Sequence, residues 1–255
     1  MDNKCRIGID VGGTFTDIVA VSDTGTVTFS KAASTPNDPS IGVMNAVERL
    51  ADELGINSET LLSKTESIVH GTTVATNALL ERKGAKTGLL TTLGHRDVLE
   101  MREGLKDDRY NMRLPAPAPL VPRFLRLGVR ERIKPDGSIH TKLDNTSLDE
   151  AINKLREEKV TSVAVCYLHA YKEPKHEQET KQILEAKLPG VSVSISSEVF
   201  PEIKEYERVS TTIVNAYVRP IVENYLNRLE ERLKNAGYKG SVLIILSHGG
   251  VAPIE

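Results

Sequence analysis

The residues best suited to chemistry lie near the N-terminus, in the segment Asp10-Val-Gly-Gly-Thr-Phe-Thr-Asp17. Its two adjacent glycines allow a tight turn that brings backbone N–H groups close to an anion. Asp10 offers a hard oxygen ligand to Mg²⁺, directly or through water, and Asp17 is predicted to contribute likewise or to orient a water. The predicted phosphate donors are the backbone or hydroxyl groups of Gly12, Gly13, Thr14 and Thr16. A phosphoryl-transfer site needs these groups.

Two commoner phosphate-binding motifs do not fit this segment. The sequence contains no GxxxxGK[ST], and no GxGxxG opens a helix, because the Gly-Gly turn leads into a strand-like run. A plain hairpin turn is the alternative interpretation. The order Asp, Gly-Gly and Thr between two strands of a meander favours phosphate binding.

A second set of polar residues, His70-Gly-Thr-Thr73, lies between a predicted strand and a predicted helix. Thr72 or Thr73 can cap that helix, whose free N–H groups suit an anion or a polarised carbonyl oxygen. We predict that His70 hydrogen-bonds the substrate, although a capped turn with a satisfied histidine is the structural alternative.

Three further polar stretches are weaker candidates. Residues 95–97 (His-Arg-Asp) and 101–103 (Met-Arg-Glu) are more typical of a solvated loop than of a substrate or partner contact. The charged residues at 202–208 suit a helix start, where acidic side chains complement the helix dipole. The Gly-Gly turn at residues 247–250 can line a cleft from the opposite side.

Hydrophobic periodicity and turn residues predict an α/β protein that begins with a three-stranded meander. The predicted strands are residues 5–11, 16–21, 26–31, 67–70, 87–91, 162–168, 191–196 and 241–246. The predicted helices are residues 39–54, 74–83, 147–159, 174–187 and 207–236. Pro220 is expected to kink or split the longest helix. The strand at 241–246 is expected to lack sheet neighbours.

Composition predicts a globular protein with no nucleic-acid or membrane partner. The chain has 255 residues, 39% of them hydrophobic, and a formal net charge of −2. No apolar run approaches the roughly 20 residues that span a bilayer, and no signal peptide is evident. Cys5 and Cys166 lie in apolar runs, which predicts buried free thiols in a reducing cytoplasm.

Four motifs in order along the chain resemble the N-terminal region of the hydantoinase A/5-oxoprolinase family, which includes acetone and acetophenone carboxylase subunits. They are the Asp10–Asp17 segment, residues 70–81, residues 201–208 with 215–217, and residues 247–252. The first motif alone is similar to the first phosphate motif of the actin/Hsp70/sugar-kinase superfamily.

The resemblance implies an RNase H-like mixed sheet, as in an actin-like ATPase lobe, with an inserted α/β subdomain. The expected parts are a phosphate-binding part at 1–93, the insertion at 94–200, and a long helix with the start of a truncated second lobe at 201–255. It also implies ATP and Mg²⁺, and phosphorylation of the carbonyl oxygen of a lactam, hydantoin or ketone, which activates it for hydrolysis or carboxylation. The substrate choice stays open, and a hydantoinase B-like subunit or domain is the expected partner.

One departure from the superfamily pattern affects the expected activity. Superfamily members carry a second phosphate loop and an adenosine pocket in a second lobe, whereas this sequence has a single such loop. The chain is therefore expected to be truncated or a split subunit, and inactive alone. A non-catalytic domain that binds phosphate or a partner is the alternative.

Overall fold

The computed structural model describes residues 4–104, 108, 110–115 and 117–254. The strands are β1 (Cys5–Val11), β2 (Phe15–Ser22), β3 (Val27–Ala33), β4 (Thr65–Thr72), β5 (Thr87–Thr92), β6 (Arg126–Val129), β7 (Arg132–Ile133), β8 (Ile139–Thr141), β9 (Ser162–Cys166), β10 (Ser192–Ile195), β11 (Val242–Ile245) and β12 (Val251–Pro253). The α-helices are α1 (Pro39–Glu53), α2 (Ser58–Ser63), α3 (Val74–Leu80), α4 (Val98–Met101), α5 (Asn145–Glu157), α6 (Lys175–Lys187), α7 (Ser196–Val199) and α8 (Glu205–Asn235). A short 3₁₀ turn, Arg123–Leu125, precedes β6.

The first compact unit comprises Met1–Leu80 and Ile221–Glu255. Its six-stranded sheet has the order β12-β11-β4-β1-β2-β3. The predicted meander is present, because β1 pairs antiparallel with β2 and β2 with β3. The sheet is mixed, since β4 runs parallel to both β1 and β11. The prediction that the strand near residues 241–246 lacks neighbours is wrong: β11 lies between β4 and β12.

Alternation along the strands gives this sheet one buried and one open face. In β1, Ile7, Ile9 and Val11 are buried, while Gly8 and Asp10 between them are half-buried or exposed. The buried side chains form one core with α1 and with the C-terminal half of α8. Two-residue periodicity places Asp10 on the face opposite the core.

The second compact unit, Glu81–Pro220, contains a parallel sheet of order β10-β9-β5-β6. Every residue of β5 and β9 is buried, as expected of central parallel strands covered on both faces. The strand predicted at residues 87–91 therefore belongs to this sheet. The compact units change at residues 80/81 and 220/221, and the division into parts at 93 and 200 stays a prediction.

Pro220 lies inside α8 and does not split it, because the helix is continuous from Glu205 to Asn235. Side chains on both sides of the proline belong to hydrophobic cores: Ile213 and Ala216 before it, Leu229 and Leu233 after it. This burial offsets the one backbone hydrogen bond that proline removes. A kink at Pro220 stays a prediction. Within the described residues, no helix has the length and apolar character needed to cross a bilayer.

Candidate functional site

A row of polar side chains crosses the open face of the six-stranded sheet. Asp10 of β1 lies directly opposite Asp17 of β2, and Asp17 lies opposite Lys31 of β3. Lys31 Nζ is 3.2 Å from the Asp17 carboxylate and 4.4 Å from the ring centre of Phe15. On the other side, Asp10 pairs with Gly71 of β4. A groove of about 950 Å³ along this face is lined in part by both aspartates and by Lys31.

Gly71 leaves room for the Asp10 carboxylate. A Cβ placed on Gly71 would lie 3.4 Å from Asp10 Oδ1, in van der Waals contact. Two carboxylates thus lie side by side, one of them beside a lysine. The sequence analysis named both aspartates, which the structure brings opposite each other, but missed Lys31, because its position depends on the register of β3 against β2.

The Gly12-Gly13-Thr14 turn that joins β1 and β2 is the predicted phosphate loop. The N–H of Gly12 donates to the carbonyl of Phe15 (3.0 Å), which closes the hairpin. Ser34 braces the turn, because its Oγ donates to the carbonyl of Gly12 (2.8 Å) and its N–H to that of Thr14 (3.0 Å). The N–H groups of Gly13 and Thr14 have no acceptor among the described residues. These exposed donors are free to meet an anion.

Thr16 is placed differently from the other predicted phosphate donors. Its side chain is completely buried, and its Oγ1 lies 3.1 Å from Ser34 Oγ. A Cβ on Gly42 would lie only 3.2 Å from that hydroxyl, so helix α1 packs closely against it. The parity of β2 explains this placement, because Thr16 faces the core while Asp17 faces the open side. Thr16 supports the loop through Ser34.

The turn between β4 and α3 lies next to the Gly12-Gly13-Thr14 turn. Thr72 pairs with Val11 across the sheet, and Thr73 approaches the carbonyl of Val11 with its N–H (3.5 Å) and hydroxyl (3.4 Å). Thr72 Oγ1 accepts from the N–H of Val74, the first residue of α3 (3.2 Å). Both threonines are therefore brought beside the end of β1, and the Thr72 hydroxyl accepts from the first N–H of α3.

His70 lies on the opposite face from Asp10. Its imidazole is fully buried, and its Nε2 is 2.7 Å from the Tyr225 hydroxyl. Burial lowers the pKa of His70 to about 4, against a smaller opposing effect of the Ile9 carbonyl, so the ring is neutral at pH 7. The structure does not bring this ring to the aspartates. The alternation of side chains along β4 explains this, since Ile68 and His70 both face the core.

The second Gly-Gly turn, at residues 247–250, connects β11 and β12. Gly249 adopts a φ of +86°, a conformation that favours glycine. Because β1, β4 and β11 are parallel, the turns that follow them lie at the same edge of the sheet. The prediction that this turn lines a cleft from the opposite side therefore differs from the structure, which places it on the same sheet edge as the Gly12-Gly13-Thr14 turn.

The two carboxylates suit a metal ion that takes most of its coordinating oxygens from outside the protein. Within the described part of the chain, no group of three or more His, Cys, Asp and Glu side chains converges to hold a metal. Mg²⁺ bound to nucleotides usually takes one or two protein carboxylates, with phosphate and water oxygens completing the octahedron. Asp10 and Asp17 could supply two such carboxylates.

Comparisons with known proteins identify the family. The profile of the hydantoinase/oxoprolinase N-terminal region matches residues 6–188. The chain belongs to the hydantoinase/oxoprolinase family. A second profile, hydantoinase/oxoprolinase, matches residues 208–255. The family relationship predicted from the four motifs is thus confirmed.

Two relatives in this family are similar over nearly the whole chain. Caprolactamase subunit alpha of Pseudomonas jessenii is 41% identical over 250 residues, which cover 97% of this chain and 36% of that protein. The acetophenone carboxylase gamma subunit of Aromatoleum aromaticum is 37% identical, with 97% and 36% covered. The chain therefore spans little more than a third of the length of these relatives.

Solved structures of family members share the fold. The chain superposes on the ATP-dependent caprolactamase from Pseudomonas jessenii with a TM-score of 0.90 and 41% identity, covering 97% of this chain and 36% of that one. It superposes on nucleotide-free acetone carboxylase, studied for ATP-dependent acetone carboxylation, with a TM-score of 0.89 and 27% identity, covering 99% and 38%. The predicted RNase H-like α/β fold with a mixed sheet is confirmed, and these relatives are ATP-dependent.

Proposed function

We propose that this chain is the phosphate-binding part of an ATP-dependent enzyme that phosphorylates the carbonyl oxygen of a cyclic amide, hydantoin or ketone. The observation that carries the proposal is the opposed pair Asp10 and Asp17 beside a hairpin whose Gly13 and Thr14 N–H groups lack acceptors. Carboxylates for a metal and donors for phosphate oxygens at one sheet edge are the requirements of phosphoryl transfer. The ATP dependence of the solved relatives supports the choice of nucleotide.

Each predicted site residue has a proposed role. Asp10 holds Mg²⁺ directly or through water, and Asp17 holds a ligand water of that ion. The cofactor-binding group comprises Gly12, Gly13, Thr14, Thr16, Thr72 and Thr73. Of these, the exposed turn contacts phosphate, while buried Thr16 acts through Ser34. His70 is a positioning residue, because it fixes β4, which carries Gly71 and the two threonines.

Phosphorylation of the carbonyl oxygen activates an otherwise unreactive lactam or ketone. In a lactam or hydantoin, the carbonyl oxygen attacks the γ-phosphorus, ADP leaves and the ring nitrogen loses its proton, which gives an imidate phosphate. Water adds to the imidate carbon, the protonated nitrogen leaves and opens the ring to an acyl phosphate, and a second water releases phosphate. In a ketone, the α-carbon loses the proton and an enol phosphate forms, which is the activated form for carboxylation. Mg²⁺ would supply neutralisation of the charge that develops on the phosphate oxygens. Asp10, Asp17 and the N–H groups of the turn would orient the γ-phosphoryl group.

The proposed assembly extends beyond this chain. Its relatives are named as the alpha subunit of a caprolactamase and the gamma subunit of a carboxylase. We propose that a second phosphate loop and an adenosine pocket come from the rest of such a protein, and that a hydantoinase B-like subunit or domain is the partner. On this basis the 255-residue chain alone does not hydrolyse ATP. The free thiols of Cys5 and Cys166 support a cytoplasmic location.

Asp10→Asn in the complete enzyme tests the function. Asparagine keeps the shape of the side chain but removes the charge that holds the metal, so phosphate release should fall at least about 100-fold, several kcal/mol of transition-state stabilisation. Asp23→Asn, in the turn after β2, is the matched control and should keep full activity. Turnover of the Asp10→Asn enzyme close to that of the unmodified one would refute the assignment.

The alternative, a domain that binds phosphate without turnover, gives a different result. Phosphate release by the complete enzyme would then not respond to a lactam, hydantoin or ketone. Substrate-stimulated release that disappears in Asp10→Asn supports the enzyme, and the substrate giving the largest stimulation identifies the class.

A further inference from the structure

Lys31 is a positive charge beside the two aspartates, and the roles proposed above do not include it. It lies in β3, directly opposite Asp17 of β2, on the open face of the six-stranded sheet. Its Nζ is 3.2 Å from Asp17 Oδ1, and the two side chains are 52% and 57% exposed. An ion pair this exposed adds little to the stability of a fold. Stability alone is therefore a weak reason for a lysine at this position.

A second contact fixes the direction of the Lys31 side chain. Its Nζ also lies 4.4 Å from the ring centre of Phe15, the first residue of β2. Phe15 and Asp17 are two residues apart in a strand, so they lie on the same face, and the ammonium is held between them. Phe15 directly follows the Gly12-Gly13-Thr14 turn. Lys31 therefore extends along β2 towards the end that carries the turn.

The Lys31 ammonium keeps donors that no protein acceptor uses. A lysine ammonium has three N–H donors and no acceptor. Among the described residues, its contacts are Asp17 Oδ1 and the face of the Phe15 ring. The turn beside it also has free donors, because the N–H groups of Gly13 and Thr14 have no acceptor in the described structure. Backbone and ammonium donors at one edge of the sheet favour an oxyanion.

The charges along the groove show what Lys31 contributes. The charged side chains that line it are Asp10, Asp17 and Lys31 of the sheet and Arg49, Asp52 and Glu53 of α1. Four carboxylates and two basic groups leave a charge of −2, so the groove alone repels a phosphate. A divalent cation would bring this charge to zero, whereas the same groove without Lys31 would still carry −1. Lys31 therefore decides whether the cation-loaded groove repels a phosphate.

The other basic group of the groove is held by the backbone of β3. Arg49 Nη1 donates to the carbonyl of Lys31 (2.9 Å), and Glu53 accepts from the Ser30 hydroxyl (2.9 Å). Ser30 and Lys31 are neighbours in a strand, so their side chains point to opposite faces. Of the two basic groups that line the groove, Lys31 is thus the one placed on the face of Asp10 and Asp17.

We propose that Lys31 is a phosphate ligand, whose ammonium donates to an oxygen of the γ-phosphoryl group of a nucleotide bound at the Gly12-Gly13-Thr14 turn. This role rests on the proposed function and adds to it one residue that contacts the transferring group. An ammonium binds phosphate as a point charge, and it stabilises the negative charge that develops on phosphoryl oxygens during transfer. The Asp17 carboxylate and the Phe15 ring hold the ammonium in place before the nucleotide binds.

This role predicts opposite effects of Lys31→Gln on two ligands. Lys31 lies beside the carboxylates that would hold a divalent cation, so its charge opposes binding of the cation alone. The affinity of the variant chain for Mn²⁺ without nucleotide should rise about two- to fivefold. The affinity of the complete variant enzyme for MgATP should fall about 10- to 150-fold, the loss of one hydrogen bond between charged groups. An ion pair that only stabilises the sheet would not change the two affinities in opposite directions.

Metal and nucleotide titrations test the proposal. Binding of Mn²⁺ to the 255-residue chain is followed by paramagnetic broadening of NMR signals, and binding of MgATP to the complete enzyme by calorimetry. Lys31→Arg keeps the charge and should retain most of the MgATP affinity. Lys4→Gln is the matched control, because Lys4 Nζ also lies 3.2 Å from a carboxylate, that of Glu66, but just before β1 and away from the turn. It should change neither affinity.

The combined results distinguish a phosphate ligand from a surface ion pair. Weaker MgATP binding and tighter Mn²⁺ binding in Lys31→Gln, with both affinities unchanged in Lys4→Gln, support the proposal. Unchanged MgATP affinity in Lys31→Gln, an equal loss in Lys4→Gln, or a parallel loss of Mn²⁺ affinity overturns it. An enzyme that Asp10→Asn inactivates but that Lys31→Gln leaves unchanged would retain the proposed function and exclude only the role of the lysine.

Discussion

Replacing Gly13 by valine separates a phosphate-binding loop from a simple hairpin turn. Gly13 does not have a positive φ, and a Cβ placed there has no heavy atom within 4 Å. Valine therefore fits the folded hairpin, and the free energy of unfolding should change by less than about 0.5 kcal/mol. A side chain at this position therefore meets no clash inside the turn. The added side chain meets only the space through which a phosphate would approach.

The expected loss of nucleotide affinity follows from the free donors of the turn. The N–H groups of Gly13 and Thr14 have no acceptor in the described structure, so each can donate to a phosphate oxygen. A hydrogen bond to a charged group contributes about 1.5–3 kcal/mol. The valine side chain in Gly13→Val would keep a phosphate oxygen away from one of these donors. The dissociation constant of MgATP should therefore rise by about 10- to 150-fold.

Two measurements on the same variant decide the matter. Calorimetric titration of MgATP into the complete enzyme gives the affinity, and chemical denaturation of the chain gives the stability. Gly12→Ala is the contrasting variant, because its Cβ would lie 3.2 Å from the carbonyl of Phe15 and should destabilise the hairpin itself. If Gly13→Val binds MgATP as tightly as the unmodified enzyme, the loop is only a turn and the reasoning fails.

The other predictions concern a buried histidine, a crowded glycine and the carboxylate pair. Because the folded-state pKa of His70 is about 4 against 6.5 when free, its contribution is present above pH 6.5 and is lost as the pH falls towards 4. Denaturation curves should show that the free energy of unfolding falls by about 2 kcal/mol between pH 7 and 5 because of this group. His70→Gln should lack this dependence on pH, and an equal dependence in both proteins would disprove the prediction. A Cβ on Gly84 would overlap the ring of Tyr217. Gly84→Ala should therefore lower the free energy of unfolding by about 1–3 kcal/mol. Near-native stability would show that the ring moves freely. Asp10→Asn removes a like-charge contact with Asp17 and should raise the stability of the metal-free chain by about 0.2–1 kcal/mol, measured by thermal unfolding. A lower stability would mean that the pair is not repulsive.

Local sequence patterns predicted the parts of the fold that depend on neighbours in the chain. The meander of β1 to β3 and the helix α1 follow from hydrophobic periodicity and turn residues. The placement of β5 does not follow from its own residues. It pairs with β6 and β9, so its sheet is decided by strands that are distant in the sequence.

Sequence patterns indicate the candidate site residues that a single turn brings together, but not those that the pairing of strands adds. Gly12 and Gly13 form the expected hairpin, but Ser34 and Lys31 join them only because β3 pairs with β2. The buried directions of Thr16 and His70 were readable from the sequence, since each lies an even number of residues from an apolar core position. Asp10 and Asp17 have the opposite parity from these residues, which is the signal that separates ligand-facing from core-facing polar groups.

The opposed aspartates are the strongest internal argument for a cation at this site. Like charges directly across an antiparallel pair destabilise a sheet, and Lys31 reaches only one of the two carboxylates. Asp10 has no hydrogen bond or ion pair among the described contacts, while Gly71 beside it keeps the carboxylate uncrowded. A strand pair selected for stability alone would not keep this arrangement. Mg²⁺ with a nucleotide would relieve the repulsion through the same oxygens, so the feature that weakens the empty sheet is the one that would hold the metal.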